Sequence, residues 1–468
     1  MRHVAVLACA AIVTVGVAMA STAGARDLKA EAAQQVVVQL HSGDVDTLDE
    51  LIERLAQAGI EAQKTDRIPQ RPVYLLTITS GTPQQAVAQL SERPEVVFAE
   101  LNYPVSSDPR LYDPATKAKL NSVLAIGDGM TCIDNNADCE PQAVRELLRL
   151  EMAHRLSRGS GVRVAVLDTG ADFDHVDFES VNFGVQRDVI DDDFVAMEEG
   201  DEVTNIDDFG VSSVGHGTHV TGIVHRIAPA AQLMVGRILD PNGIGTTWLT
   251  AKGIFWAIDP YGDGQANTGA HVINLSLDTR ANTKVLRLAA NVVTCSEVPN
   301  RNVWVSDDAR CFGAEHLQAV VVAAAGNDAS GSIQMFPAAY SDVPGLMAVA
   351  ASDNRETLVR APAYFTNSGT YVDLAAPGYG ILSQFYDGSR ATISGTSMAA
   401  PIVAGLAALV RSQNPGPNGW SPAAVAIRIR SRAVSMCGPN APANFKHVDV
   451  AATVDTAAAS LGPCPLTK

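Results

Sequence analysis

Basic charge is scarce in this chain. Its 34 Lys and Arg face 51 Asp and Glu, for a net charge of −17 over 468 residues. A protein that holds nucleic acid without sequence preference needs a basic surface, so that class is excluded. Apolar runs of bilayer length are also missing. The stretches Val4–Ala20 and Met398–Val410 are short for a span, and the second reads as a buried core helix. No Cys-x-x-Cys occurs, which removes the usual zinc ligands. There is no internal repeat and no long low-complexity segment. With 47% hydrophobic residues the chain is globular and long enough for more than one domain.

What is present begins with an export signal. Met1-Arg2-His3, an apolar core to Ala20 and the small residues Ala18-Met19-Ala20 and Ala23-Gly24-Ala25 predict a signal peptide over 1–25. Its removal takes Cys9 and leaves Cys132, Cys139, Cys295, Cys311, Cys437 and Cys464. An even number in an exported chain predicts disulfides. Neighbouring pairs are expected: Cys132–Cys139, Cys295–Cys311 and Cys437–Cys464.

Residues 26–105 read as a small α+β module in the order β-α-β-α-β. The strands are 36–40, 73–79 and 95–100, and the helices 46–59 and 82–90. Residues 106–160 form a Pro-punctuated linker, ending in an amphipathic helix from Val144 to Leu156. From 161 to 468 the pattern is α/β. Apolar strands at 162–168, 233–239, 271–277, 319–325 and 347–351 alternate with helices at 217–227, 246–258, 283–293 and 398–412. That alternation predicts a doubly wound, mostly parallel sheet with helices on both faces. Ligands of such sheets bind at the strands' carboxyl ends.

Four polar residues fall at a strand end or a helix start. Asp168-Thr-Gly follows the first strand, and by itself is ordinary turn chemistry. His216-Gly-Thr-His219 opens a helix with glycines on both sides of His216; alone it also reads as a metal pair, but no Glu stands at the spacing a zinc hydrolase needs. Asn327 ends the strand Ala323-Ala-Ala-Gly, where a turn-forming Asn is common. Ser397, in Gly395-Thr-Ser-Met-Ala-Ala-Pro401, is in isolation as well explained as a helix N-cap. Together they supply an Asp to orient an imidazole, an imidazole to take a Ser proton, and an amide for the oxyanion. The α/β-hydrolase esterase alternative needs Gly-x-Ser-x-Gly and another residue order, and neither is found.

The Asp-Thr-Gly, His-Gly-Thr-His and Gly-Thr-Ser-Met-Ala-Ala-Pro motifs, in that order, resemble those of subtilisin-like serine proteases over about 161–455. The resemblance implies Asp168, His216 and Ser397 as a triad and Asn327 as the oxyanion donor. It also implies Leu275, Ser276, Leu277 and Asp278 on one side of the cleft, with Ala324, Ala325 and Gly326 on the other. By the same resemblance 26–105 is an inhibitory, ferredoxin-like propeptide whose tail enters the cleft. The implied protein is a secreted, monomeric endopeptidase acting on proteins or peptides. It needs no cofactor for its chemistry and no membrane after signal removal. A catalytically silent, peptide-binding relative is the alternative.

Departures from the family pattern sharpen the expectations. The loop that holds the family's tight calcium is missing after His216, and Asp177 matches one ligand without its partners. Calcium, if bound, is expected elsewhere, at Asp191-Asp-Asp193 or at Asp259 to Gly264. Asp278 stands where a cleft Gly is usual and Asp328 follows Asn327. Both are expected near the first specificity pocket, favouring Lys or Arg there. Acidic residues 184–210 and residues 280–316 read as insertions.

Overall fold

The computed structural model describes residues 26–43, 45–69, 71–107, 147–200, 213–263, 268–294, 318–353, 360–414, 419–437, 441, 445–455 and 457–461. The signal peptide and five of the six remaining cysteines lie outside these residues. Cys437 is buried and disulfide-bonded.

The N-terminal domain follows a short helix α1 (Leu28–Ala32). It consists of β1 (Gln35–Leu40), α2 (Val45–Gln57), β2 (Glu61–Arg67), β3 (Val73–Ser80), α3 (Pro83–Ser91) and β4 (Val96–Leu101). The sheet order is β2-β3-β1-β4, and the β1–β3, β1–β4 and β2–β3 pairs are antiparallel. The expected β-α-β-α-β order is thus corrected to β-α-β-β-α-β. β2 was missed because it is a polar edge strand, with only Ala62 buried, so it shows no hydrophobic alternation. α3 starts as expected, with Thr82 and Gln85 forming a reciprocal capping box ahead of Pro83.

This sheet is covered on both faces. Val36, Val38, Leu40, Leu76 and Ala99 pack on α2 and α3 in a core of the domain's own. Val37, Val73, Leu75 and Phe98 face the other way and join the core of the larger domain.

A short strand β5 (Pro104–Ser106) leads out of this domain, so the boundary at 105 falls inside a strand. Leu147 and Leu148 are helical and buried, and α4 (Leu150–His154) follows after a break at Arg149. One continuous helix to Leu156 was expected. Arg149 instead takes a left-handed φ of 50° and turns its guanidinium to Asp449 and the Ala459 carbonyl.

The larger domain contains β6 (Arg163–Asp168), β7 (Asn182–Asp188), α5 (His216–Ile227), β8 (Gln232–Arg237), β9 (Ile244–Thr246), α6 (Thr247–Ile258), β10 (Val272–Leu275), α7 (Lys284–Thr294), β11 (Val320–Ala324), β12 (Leu346–Asp353), β13 (Ala361–Pro362), β14 (Leu374–Pro377), β15 (Ile381–Gln384), β16 (Arg390–Ile393), α8 (Thr396–Ser412), α9 (Pro422–Arg432), β17 (Val434–Ser435), β18 (Lys446–His447) and α10 (Val450–Val454). The main sheet runs β17-β18-β14-β12-β11-β10-β6-β8-β7, with β13 on β12. From β14 to β7 every neighbour is parallel. The five strands read from the sequence form its contiguous centre, because only strands buried on both faces are apolar throughout. Helices cover both faces: α6 and α7 in one core, α5, α8 and α9 in the other. β7, in the supposed acidic insertion, is an irregular edge strand on β8. Among the described residues no helix is long and apolar enough to cross a membrane.

Candidate active site

Asp168 is the last residue of β6 and is fully buried. Its Oδ1 accepts the Thr169 backbone N–H at 2.8 Å and lies 2.8 Å from His216 Nδ1. His216 opens α5, whose N-cap Gly215 has a left-handed φ of 87° that favours glycine. The glycines on both sides of His216 are sterically required: a Cβ at Gly215 would lie 2.7 Å from the Phe385 ring, and one at Gly217 2.2 Å from the Gly170 carbonyl oxygen. His219 is no partner of His216. Its Nε2 lies between the Ile381 and Ala391 carbonyls, and burial lowers its pKa to about 3.

Ser397 sits in the first turn of α8, which begins at Thr396, two residues before the expected start. Its hydroxyl lies 3.3 Å from the Ser276 carbonyl oxygen. Pro401, inside α8, has no N–H to give to the Ser397 carbonyl. The Ser276 hydroxyl donates to that carbonyl instead, at 2.8 Å. Proline therefore ties the helix start to the strand end at β10. Asn327 is joined to the same turn: its Oδ1 accepts from Thr396 N and Oγ1 at 2.9 and 3.0 Å. This leaves its Nδ2 beside Gly395, 3.7 Å from where a Cβ would stand. The turn presents the positive end of a long helix.

The N-terminal domain's tail reaches this place. β5 pairs antiparallel with β9, Val105 opposite Gly245. Ser106 and Asp278 exchange backbone hydrogen bonds at 3.0 and 2.9 Å, and Ser107 N donates to the Gly243 carbonyl at 3.0 Å. Asp278, the last residue of the expected wall Leu275–Asp278, is therefore one side of a strand slot. The other side, Gly243–Thr246, was not foreseen, since three residues after a turn carry no strand signature. Ala324, Ala325 and Gly326 do not pair with the tail among the described residues. The Ala325 carbonyl accepts from Tyr371 Oη and Asn367 Nδ2, and the Gly326 carbonyl from Asn367 N.

Glu100 and Asn102 dock the same domain on two helix starts. Glu100 accepts the N–H groups of Lys284 and Val285, both at 2.8 Å. Asn102 Oδ1 accepts Trp248 N at 3.1 Å and Thr247 Oγ1 at 2.9 Å. Asp66 adds bonds to Trp248 Nε1 and Lys252.

Several of these charges are paired within the fold. The Asp328 side chain is 1% exposed and paired with Arg280 at 2.8 Å, which neutralises the charge expected to favour a basic ligand. Asp177 does not fit a calcium site, because Arg390 holds both its oxygens, at 2.7 and 2.8 Å, and lowers its pKa. Asp188, Asp191 and Glu199 do converge as a cation site would, but the Arg237 guanidinium fills their centre. Asp192 is paired with Arg187 and Lys252. Asp259 and Asp263 are in no such group among the described residues, and Gly264 lies outside them.

Residues 159–452 match the family model described as "Subtilase family". The chain belongs to the subtilase family. Residues 25–102 match "Fervidolysin N-terminal prodomain", so this subtilase carries an N-terminal prodomain. An "Alkaline protease" of Shouchella clausii is 30% identical over 76% of this chain and 81% of its own. "Subtilisin Savinase" of Lederbergia lenta is 33% identical over 60% of this chain and 87% of its own. A solved "cold adapted subtilisin-like serine proteinase" covers 63% of this chain and 90% of its own at 28% identity, with a TM-score of 0.47. The subtilase is a serine endopeptidase acting on protein substrates.

Proposed function

We propose that this subtilase is exported as a zymogen and that Asp168, His216 and Ser397 are its catalytic residues. Asp168 holds Nδ1 of His216. Nε2 then takes the Ser397 proton as Oγ attacks the scissile carbonyl, and later returns a proton to the leaving amine. Asn327 Nδ2 and an N–H at the start of α8 hold the oxyanion. The chemistry runs on side chains and backbone alone. Substrate enters as a strand between Gly243–Thr246 and Ser276–Asp278, so backbone bonds supply affinity.

One observation carries this reading. The prodomain tail lies in that slot with Ser106 on Asp278, while Ser397 Oγ sits at the Ser276 carbonyl, two residues earlier. The strands are antiparallel, so the nucleophile stands further along the tail, beyond Ser107. Cutting therefore falls after Ser107 and before about residue 130, and Pro109 disfavours the bond preceding it.

The test is expression of wild type and Ser397→Ala with the signal intact. Wild type should shorten on export, with a new N-terminus beyond 107, and hydrolyse peptides. Ser397→Ala should stay as the signal-less precursor, folded, since losing a helix-start Ser costs only ~1 kcal/mol. Equal cutting of both would assign maturation to another protease. A folded wild type that hydrolyses nothing would make the chain a peptide binder.

A further inference from the structure

The acidic segment before His216 reads from the sequence as a solvated insertion, yet one of its residues is buried behind the Asp168–His216 pair. Glu198 is 9% exposed. It is brought there by a rung of parallel pairing between Ala171 and Met197, with Ala171 N bonded to the Ala196 carbonyl and Glu198 N to the Ala171 carbonyl. The approach needs Gly170, where a Cβ would stand 2.6 Å from the Met197 carbonyl oxygen.

Glu198 Oε1 collects the residues that flank both members of the pair. It accepts from Thr169 Oγ1 at 3.1 Å, and from Thr218 N and Oγ1 both at 3.0 Å. The Gly215 amide lowers the pKa of the same carboxyl group. Thr169 Oγ1 in turn accepts Gly217 N at 2.9 Å. Thr169 directly follows Asp168, and Gly215 and Gly217 are the two neighbours of His216. One carboxyl group thus joins the end of β6 to the first turn of α5.

We propose that Glu198 is a positioning residue for proteolysis: its carboxyl group clamps β6 to α5 and thereby sets the distance and angle at which Asp168 meets His216. This rests on the reading of Asp168, His216 and Ser397 as the catalytic residues. A group that merely satisfied buried donors would affect stability alone. A clamp on the imidazole affects turnover, because a displacement of about 1 Å costs up to ~100-fold, and it leaves substrate binding in the slot intact. Burial pushes the Glu198 carboxyl pKa up, the Thr218 and Gly215 amides oppose this, and the Asp168 charge adds to the rise. Gln keeps a side-chain oxygen that can accept from Thr169 and Thr218.

The experiment compares matured wild type, Glu198→Ala and Glu198→Gln with a fluorogenic peptide, counting active sites by burst titration, with the Ser397→Ala protein assayed alongside. Glu198→Ala should lose about tenfold to a hundredfold in kcat per titrated site, with KM within about twofold. Glu198→Gln should recover most of that loss, since its amide oxygen can take the place of Oε1. A folded Glu198→Ala with wild-type kcat, or with fewer sites of wild-type kcat, overturns the role while leaving the triad standing. Should Glu198→Ala not fold, Thr218→Val removes one donor from the clamp and must lower kcat at unchanged KM; wild-type kcat there overturns the role. A Ser397→Ala enzyme of wild-type rate sinks the triad assignment and Glu198's role with it.

Discussion

Glu100→Ala should weaken the prodomain's hold on the mature enzyme by about 30-fold. Glu100 stands at the end of β4, and each carboxylate oxygen accepts one N–H of the first turn of α7, at 2.8 Å. Hydrogen bonds to a charged group contribute about 1.5–3 kcal/mol each, and the helix N-terminus favours the negative charge. Two such bonds set an upper range of about 3–6 kcal/mol. Desolvation is the larger influence on this carboxyl, raising its pKa against the lowering effect of the two amides. Burial therefore takes back part of the gain, and water reoccupies the two N–H groups once the prodomain leaves. A net loss of ~2 kcal/mol follows, or about 30-fold in affinity. The prodomain has a core of its own, so it can be added in trans as residues 26–107. The measurement is inhibition of matured enzyme by wild-type and Glu100→Ala prodomains, with Glu92→Ala, an exposed residue after α3, as control. A Glu100→Ala inhibition constant within about threefold of wild type would show that the helix contact adds nothing to docking.

Two further outcomes can be checked on stability. Arg390 occupies the carboxylate that calcium would need, so EDTA should leave the melting temperature within about 1 °C. Arg390→Met should lower it by about 1–3 °C, as expected for a half-exposed pair worth ~1 kcal/mol; a drop of many degrees in EDTA would reveal a structural cation. His219 and His447 are fully buried, with pKa lowered by burial to about 3 and about 4 from the ordinary 6.5. They are neutral in the fold and protonated in the unfolded chain below pH 6.5, so their contribution is complete above that pH. It is lost on acidification at ~1.4 kcal/mol per pH unit for each. His447→Gln should reduce proton uptake on unfolding at pH 5 by about one, and unchanged uptake would refute the assignment.

The sequence by itself determined the parallel sheet and the four polar residues on it. Strands buried on both faces must be apolar throughout, so β6, β8, β10, β11 and β12 stood out. Asp168, His216, Asn327 and Ser397 stood out because each ends such a strand or starts a helix. Tertiary structure alone decided what surrounds them. Glu198 and Arg390 belong to polar segments whose local pattern is that of solvated surface. Only the approach of Gly170 to Met197, and of β16 to Asp177, buries one and pairs the other. Arg280 cancels Asp328 across 48 positions of sequence, and β9 becomes a cleft wall only once β5 lies against it. Hydrophobic periodicity is a local signal, written wherever a segment buries one face. A charge's partner is set by which distant segments meet, and spacing along one chain carries no record of that meeting.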